Sequence, residues 1–560
     1  MAVSRRKFVS VTAAGTSAAA LGALGLATRA SASAVSPSAS AAPAASGPGD
    51  VVGKVTVGYQ GWFACIGDGA PINAWWHWSP NSSQPPSPSN TGIVAWPDMR
   101  DYTKTYQTAY ANLGNGQPAT LFSSYDQQTV DTHFQWMQQN NIDTAALQRF
   151  NPVGGEGPTR DAMATKVRSA AESHGRKFYI MYDVTDWTNM QSEIKTDWTN
   201  KMKAHTASSA YATQNGKPVV CIWGFGFNDD KRPWAPAPCL DVVNWFKSQG
   251  CYVIGGVPTW WRTGDRDSRA GFSDVYHAFN MISPWMVGRI GNVSDADNFY
   301  NVATVPDLAE CAAHGIDYQP CVLPGAVTLR QRAHGDFMWR QFYNMCRAGV
   351  QGIYISMFDE YNEGNQIAKT AESQAFVPTN SGFLALDEDG TACSSDYYLR
   401  LTGDGGKMLK GQIALTATRP TQPTTTTPGG GTGTVISLRA RVNNNYVTAE
   451  NAGAAALIAN RTAIGAWEQF DMTDAGGGNI ALRAHANNRY VSAGSGNLIA
   501  DSTTVGAAQT FTLVHNSDGS VSLRAQATNQ YVTAENAGAA PLVANRAAIG
   551  AWEKFDLITG

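Results

Sequence analysis

The sequence predicts two domains, a (β/α)₈ barrel followed by a smaller all-β domain. Three observations predict this organisation: strand-like and helix-like runs alternate over residues 51–417, a Thr/Pro/Gly-rich segment follows at 418–434, and a pattern repeats three times over 435–560. A chain of 560 residues is long enough for more than one domain. The composition of residues 418–434 is that of a linker, semi-rigid and then flexible.

Eight apolar, β-rich runs in the first domain are candidate strands. They are Val55–Phe63, Thr144–Phe150, Lys177–Val184, Val219–Phe227, Tyr252–Val257, Asn280–Val287, Tyr318–Leu323 and Gly352–Phe358. Helical patterns lie between most of them, and this alternation predicts parallel βαβ units. Eight such units fit a barrel with long loops. An open, doubly wound sheet is the alternative, which the lack of a Gly-rich phosphate loop after the first run disfavours.

The amino terminus predicts export. Ser4-Arg5-Arg6-Lys7-Phe8 precedes an Ala/Leu/Gly-rich stretch, and Ala30-Ser31-Ala32 offers a small-residue cleavage site. Residues 1–32 therefore resemble a twin-arginine signal peptide. The Ala/Ser/Pro-rich segment 33–50 has a composition that predicts disorder. No later stretch reaches the ~18 apolar residues of a membrane span, so we expect a secreted monomer with no membrane association after cleavage.

Composition narrows the class of function. The net charge of −3 argues against a nucleic-acid partner. Only 15% of residues are charged while 17 are Trp, which is typical of proteins that bind sugars on aromatic faces. The eight cysteines permit disulfides, whose pairing the sequence leaves open. Without a Cys-x-x-Cys or a His-Glu-x-x-His motif, no metal site and no cofactor are expected.

Polar and aromatic residues cluster where several candidate strands end. Because the carboxyl ends of barrel strands meet on one face, these residues are candidates for one substrate site. They are Arg149, Asp183, Trp187, Asn228, Trp260 and Trp261. The loop Asn73–Pro80 adds Trp76 and His77, either as a sugar-binding wall or as a packed apolar plug. For Asp183, the cap of a following helix is the alternative.

The last candidate strand leads into Asp359-Glu360-Tyr361-Asn362-Glu363-Gly364. Cleavage of a glycosidic bond commonly uses two carboxyl groups, one to protonate the leaving oxygen and one as base or nucleophile. Neighbouring carboxylates also separate each other's pKa values, which helps one of them stay protonated near neutral pH. Glu360 and Glu363 are therefore the candidate catalytic pair. The alternative is a solvated loop that happens to hold two glutamates.

Two motifs resemble glycoside hydrolase family 99 and its family 71 relatives. They are Gly58–Phe63 on the first candidate strand and Phe358–Gly364 after the last. The family carries an Asn-Glu-Trp-x-Glu-Gly type of motif, in which Asp359 here replaces the Asn and Tyr361 the Trp, while both glutamates and the glycine match. These departures mean that specificity for α-mannan is not carried over.

The resemblance implies a (β/α)₈ barrel and a retaining mechanism. Glu360 would assist attack by the sugar's own 2-hydroxyl, giving an epoxide-like intermediate. Glu363 would protonate the leaving group and later activate water. From the residues alone, a covalent glycosyl-enzyme is equally open. Tyr59, within the first motif, is a further candidate for substrate binding.

Residues 435–560 contain three copies of one pattern. The copies open at Leu438, Leu482 and Leu523, 44 and 41 residues apart, and each continues to a Phe at 470, 511 and 555. Three units of ~40 residues with short apolar runs predict three packed β-units. They resemble the β-trefoil of fascin-like and ricin-B-like modules, which implies carbohydrate binding. Solvent-facing candidates are Asn443, Asn444, Glu450, Asn451, Asn529, Glu535 and Asn536.

The copies differ in one segment. Asn460–Glu468 in the first copy and Asn545–Glu553 in the third share a motif that ends in Ala-Trp-Glu, whereas the second copy has degenerated to Gly506–Gln509. The recurrence of Trp and Phe at fixed positions predicts core residues rather than ligand contacts.

The sequence as a whole predicts a secreted glycoside hydrolase that acts on a polysaccharide or oligosaccharide. The alternative is a non-catalytic secreted protein that binds or adheres to glycans. The sugar, its linkage and the choice of endo or exo action stay open.

Overall fold

A computed structural model describes residues 46–424, 434–476, 479–494, 496–502 and 505–559. The chain divides into two compact units, with the boundary between Pro423 and Thr424. The predicted signal peptide, residues 33–45 of the Ala/Ser/Pro segment and residues 425–433 of the predicted linker lie outside the described residues.

The first unit is built on parallel strands that close into a barrel. The strands are β1 (Val55–Tyr59), β2 (Thr144–Arg149), β3 (Lys177–Asp183), β4 (Lys217–Trp223), β5 (Tyr252–Val257), β6 (Met281–Pro284), β7a (Asp317–Tyr318), β7b (Cys321–Val322) and β8 (Ile353–Ile355). Neighbours in sequence pair in parallel, and β1 also pairs with β8. β7a pairs with β6 and β7b with β8, so together they fill one position of the barrel.

This closure excludes the open doubly wound sheet, and the predicted barrel architecture is confirmed. Each of the eight predicted strands overlaps a strand of the structure, because apolar runs buried on both faces are typical of parallel barrel strands. Three short antiparallel strands lie outside the barrel, at Tyr106–Gln107, Thr120–Leu121 and Thr213–Gln214.

Helices follow most of the strands. They are α1 (Gln127–Gln139), α2 (Gly157–His174), α3 (Met190–Asn200), α4 (Pro236–Ser248), α5 (Ser273–Ala278), α6 (Val293–Phe299), α7 (Val305–Ala313), α8 (Asp336–Ala348) and α9 (Tyr397–Leu409). A π-helical segment, Tyr300–Thr304, joins α6 to α7. None of the helices in the described part of the chain is long and apolar enough to cross a membrane.

Strand pairing assigns each strand residue to the inside or the outside of the barrel. Side chains alternate along a strand, and residues paired across parallel strands share a face. Gly58 faces inward, since a Cβ there would lie 2.2 Å from the Tyr354 hydroxyl oxygen and 2.4 Å from Met357 Sδ, both in the barrel interior. Only glycine fits at this position.

The same inner face holds residues of most of the other strands. Continuing the pairing from Gly58 gives Ala146, Gln148, Tyr179, Met181, Asp183, Cys221, Trp223, Gly256, Ser283, Cys321 and Tyr354 as inward residues. The outward residues pack under the helices instead, and both layers belong to one buried apolar core.

Both ends of the first unit are hydrogen-bonded to the barrel. At the amino end, the Ser46 backbone N–H donates to Asp317 and the Asp50 backbone N–H to the Thr213 carbonyl. At the other end, the Arg419 guanidinium donates to Asp336 and the Thr421 hydroxyl to Asp404. Residues 46–50 and 418–423 are thus hydrogen-bonded to the barrel, although their composition is that of disordered or linker segments.

The cysteines form no disulfides. All eight are free thiols, and seven of them are buried. Burial raises the pKa of all eight, for example that of Cys346 to about 12, so the thiols stay protonated.

The second unit is a closed ring of six antiparallel strands with three hairpins. The ring holds β9 (Thr434–Ala440), β12 (Phe470–Gly476), β13 (Asn479–Ala484), β16 (Phe511–His515), β17 (Val521–Ala525) and β20 (Phe555–Thr559), in that order, with β20 pairing back to β9. The hairpins are β10 (Asn445–Ala449) with β11 (Leu457–Arg461), β14 (Arg489–Ser492) with β15 (Ile499–Ser502), and β18 (Gln530–Ala534) with β19 (Leu542–Arg546).

The three-fold sequence repeat is therefore a three-fold structural repeat of ring strands and hairpins. Phe470, Phe511 and Phe555 are fully buried in one shared core, as predicted for the repeated Phe. The repeated Trp differs, since Trp467 is 38% exposed and Trp552 is half-buried. Asn443 and its equivalent Asn487 hold their hairpins by donating to the carbonyls of Ala459 and Ala500, which gives Asn443 a structural role.

Candidate active site

The segment after β8 is anchored to β1 by Asp359. Both carboxylate oxygens of Asp359 accept backbone N–H groups, from Gln60 at 2.7 Å and Gly61 at 2.8 Å. Asp359 is fully buried, and this burial raises the pKa of its carboxyl to about 6 against the opposing effects of the two backbone donors and of Arg160. Asp359 therefore fixes the start of the carboxylate segment rather than facing a substrate.

Glu360 and Glu363 leave the same tight turn. The backbone N–H groups of Glu363 and Gly364 donate to the Glu360 carbonyl at 3.2 and 3.1 Å. The Gln60 amide, the next inward position of β1 after Gly58, donates to Glu360 Oε1 at 2.8 Å. Glu360 is fully buried and Glu363 is 5% exposed. Two buried carboxyl groups on one turn are candidates for an acid and a base.

Three further contacts hold this turn. The Tyr361 carbonyl accepts the Val94 N–H, and the Gly364 carbonyl accepts the Val327 N–H. The buried Arg332 guanidinium donates to the carbonyls of Gly364 and Gln366 as well as Gly325. Gly364 has a φ of +76°, and a Cβ there would lie 3.0 Å from Val94 Cγ2. A side chain at 364 would strain the turn that carries both glutamates.

An aromatic wall follows β1. The Trp62 ring lies between His77, with ring centroids 3.7 Å apart, and Phe150, at 5.5 Å, stacked on both. Trp76 donates its indole N–H to Glu156 Oε2 at 3.2 Å. Trp76 and His77 are both half-buried, so neither is fully packed into the core. The Trp62 indole nitrogen is buried and has no hydrogen-bond partner within the described chain.

Asp183 lies on the inner face at the end of β3, beside Trp223 of β4. It accepts from the backbone N–H and the hydroxyl of Thr185, so it caps a turn as well as facing inward. The Trp223 ring lies 5.3 Å from Trp285, which follows β6. Glu156 is close enough for Asp183 to raise its pKa, although burial is the larger cause of that rise. Acidic and aromatic groups therefore lie near one another at this end of the barrel.

Two predicted substrate contacts are placed on the outer face instead. The Tyr59 hydroxyl lies 2.9 Å from His133 Nδ1 on α1, and Tyr59 is fully buried. The Arg149 guanidinium pairs with Asp197 of α3 and Asp161 of α2, with Arg149 and Asp197 each 2% exposed. The pairing of β2 with β1 and β3 puts both residues on the face that packs against helices. Arg149 thus has its contacts among the helices, whereas the Tyr59 ring lies 5.8 Å from the ring of Phe358, just before the glutamate turn.

Four other predicted residues make their contacts in other parts of the first unit. Trp187 is fully buried and donates to Glu193 of α3, and Trp261 donates to Asp307 of α7. Asn228 is exposed and donates to the Arg266 carbonyl, while the half-buried Trp260 ring lies 3.8 Å beneath the Arg266 guanidinium. These contacts belong to the helix layer and to the loops after β4 and β5.

The structure adds residues that the sequence did not single out. Gln60 and Trp62 lie in the Gly58–Phe63 motif, and counting alternate residues inward from Gly58 would have found Gln60. Trp223 lies within the predicted strand Val219–Phe227 and ends β4 on the inner face. Glu156 carries no sequence signal, because its neighbours Trp76 and Asp183 come from distant segments.

Searches against known proteins gave no matching family model and no matching curated protein. The chain is similar in structure to the GH99 endo-α-mannosidase from Bacteroides thetaiotaomicron, at 14% identity over 64% of this chain and 98% of that one, with a TM-score of 0.46. A structure of that enzyme with bis-tris propane is 15% identical over 65% of this chain and 98% of that one, with a TM-score of 0.47. The designed three-fold symmetric protein ThreeFoil is 23% identical over 22% of this chain and 97% of that one, with a TM-score of 0.21. Likenesses at this level carry no information about substrate.

Proposed function

We propose that the first unit is a glycoside hydrolase acting on a polysaccharide or oligosaccharide. The observation that carries this proposal is the turn that presents Glu360 and Glu363 together, with Gln60 donating to Glu360. An acid and a base on one rigid turn, next to stacked aromatic rings, suit protonation of a glycosidic oxygen above a sugar ring. The chain holds these groups with backbone anchors at Asp359 and Gly364.

The roles within the pair follow from the family resemblance of the motif. Glu363, which is slightly exposed, would protonate the leaving oxygen and then activate water. Glu360, held by Gln60, would act at the anomeric side, either by assisting the sugar's 2-hydroxyl or by forming a covalent intermediate. Both routes retain the anomeric configuration.

A screen against a panel of polysaccharides tests this proposal. The purified chain should release sugar from at least one polymer, and Glu363→Gln should abolish most of that release. Glu172→Gln, on the exposed surface of α2, is the matched control and should retain full activity. Binding to a polymer without any cleavage would favour the non-catalytic glycan-binding protein. Cleavage that Glu363→Gln leaves unchanged would contradict the site.

For the second unit we propose a β-trefoil that binds carbohydrate. Ile464 is 41% and Trp467 38% exposed on the loop before β12, and Glu468 holds that loop by accepting the Gly465 N–H at 2.7 Å. Exposed Trp rings suit stacking on sugar faces. In the third repeat Glu553 accepts the Gly550 N–H at 2.6 Å in the same way, whereas the second repeat has Ala508 in place of the Trp.

Neighbouring polar groups are also shared by the first and third repeats. Glu450 accepts from Asn460 and pairs with Arg461, both at 2.7 Å. Glu535 accepts from Asn545 at 2.7 Å and pairs with Arg546 at 2.8 Å. The full chain carrying Trp467→Ala and Trp552→Ala should therefore lose roughly tenfold in retention on an insoluble polysaccharide, as for a central aromatic contact. Gln509→Ala, in the second repeat, should lose nothing, and equal losses would contradict the proposal.

We also propose export by the twin-arginine route. The motif Arg5-Arg6 and the small-residue cleavage site support it. Replacing both arginines by Lys should keep the protein inside the producing cell, whereas continued secretion would contradict this route.

A further inference from the structure

Two helices on the outside of the barrel bring together three metal-ligating side chains. Glu310 and His314 lie one turn apart at the end of α7, and His277 lies in the last turn of α5. His277 Nε2 is 3.0 Å and His314 Nε2 is 3.3 Å from the same oxygen, Glu310 Oε1. One ligand atom from each residue lies within 4.8 Å of the others.

These separations match those between ligands of a single ion. Zinc binds imidazole nitrogen and carboxylate oxygen at ~2.0–2.2 Å, so two ligand atoms at tetrahedral or right angles lie roughly 2.9–3.4 Å apart. Both N···O distances fall in that range. All three ligand atoms lie within 4.8 Å of one another. A small movement of one imidazole would bring the two nitrogens to the spacing of ligands on a single ion.

The two imidazole rings also lie close together. They are stacked, with ring centroids 3.6 Å apart and planes 15° from parallel. A divalent ion bound to both nitrogens and to the carboxylate would hold the two helices at this point.

The position of the cluster separates it from the glutamate turn. His277 and His314 come just before β6 and β7a, hence at the amino ends of the strands, whereas Glu360 and Glu363 follow a carboxyl end. Helix carboxyl ends also favour cations through the aligned peptide dipoles. The side chains are 25% (His277), 33% (Glu310) and 41% (His314) exposed, so an ion can reach them from solvent.

We propose that His277, Glu310 and His314 bind one divalent transition-metal ion of the zinc class and thereby link α5 to α7. Two imidazoles and one carboxylate suit zinc, copper or nickel, whereas magnesium and calcium prefer oxygen ligands. Three protein ligands leave a position for water. Because α5 and α7 also hold Trp261, through the Tyr276 ring and Asp307, the ion would stabilise this part of the helix layer.

Calorimetric titration of the chelator-treated full chain with ZnCl₂ tests the proposal. We expect one ion per chain, and a rise in Tm of a few degrees, about 3–5 °C, at saturating zinc. His314→Ala and Glu310→Gln should each weaken binding by at least about tenfold. His174→Ala, at the end of α2 and outside the cluster, is the matched control and should bind zinc as the parent does.

Glu310→Gln keeps both imidazoles and a similar shape, so it serves if an imidazole variant fails to fold. Absence of zinc binding, or binding that neither variant weakens, would overturn the proposal. Glycan cleavage should be the same with zinc and with chelator, because the cluster is at the other end of the barrel. A loss of cleavage on chelation would overturn its assignment as a purely structural site.

Discussion

Neighbouring residues at the carboxyl ends of the barrel strands belong to two different environments. Gln60, Gln148 and Asp183 face the interior, whereas the residues next to them, Tyr59, Arg149 and Tyr182, face the helices. The outer set is as polar as the inner set, and its polar atoms pair with residues of the surrounding helices. A polar residue at a strand end is therefore not by itself a sign of a site. The alternation of side chains along the strand separates residues that face the barrel interior from residues that face the helices.

The largest expected effect lies on the inner side, at the glutamate pair. Glu363→Gln should lower kcat/KM about 10²–10⁴-fold for substrates with poor leaving groups, because general acid catalysis contributes that much. Activated aryl glycosides need little protonation and should lose much less. Glu360→Gln should slow both substrate types alike. Kinetics on the two substrate types check this, with Glu172→Gln as control; equal small losses for both glutamate variants would remove the pair from catalysis.

The next effect lies on the outer side. Arg149→Met would leave the buried Asp197 without its cation, which typically costs about 3–5 kcal/mol of unfolding free energy. Urea unfolding should show this loss, while kcat/KM of the folded protein stays unchanged. The double variant Arg149→Met, Asp197→Leu removes both charges and should recover part of the loss. A stable Arg149→Met protein with poor kcat/KM would move Arg149 back to the substrate site.

The barrel was predictable because its strands are short apolar runs that alternate with helical patterns. The sequence did not predict that Tyr59 and Arg149 point outward. Alternation along a strand gives inward and outward positions only when the direction of one residue is known. Gly58 supplies that direction once the structure places Tyr354 and Met357 beside it. Glu156 contacts residues far from it in sequence, and His277 lies far in sequence from Glu310. No sequence motif could therefore have predicted these contacts. In the second unit the repeat predicted the buried Phe positions, but not that Trp467 lies at the surface.

Asp359 gives a pH-dependent test of the anchor between β8 and β1. Its pKa is about 6 in the folded protein and ~3.9 when unfolded, so folding favours the protonated carboxyl. This contribution is fully present below about pH 4 and is lost as the pH rises through 6, by about 3 kcal/mol in all. Unfolding free energies should be measured from pH 4 to 7 for the parent and for Asp359→Asn. The parent should lose this stability as the pH rises, and the variant should not. Parallel curves would show that Asp359 is not perturbed.

The smallest expected effect separates two adjacent residues of the first motif. Burial lowers the pKa of His133 to about 3, so its neutral ring offers one donor and one acceptor to the hydroxyls of Tyr59 and Tyr102. Tyr59→Phe removes one of these hydrogen bonds and should cost about 1 kcal/mol of unfolding free energy, without changing kcat/KM. Gln60→Met should do the reverse, because its amide holds Glu360. Measuring both quantities for both variants decides the assignment: a catalytic loss in Tyr59→Phe with none in Gln60→Met would invert the inner and outer faces at the end of β1.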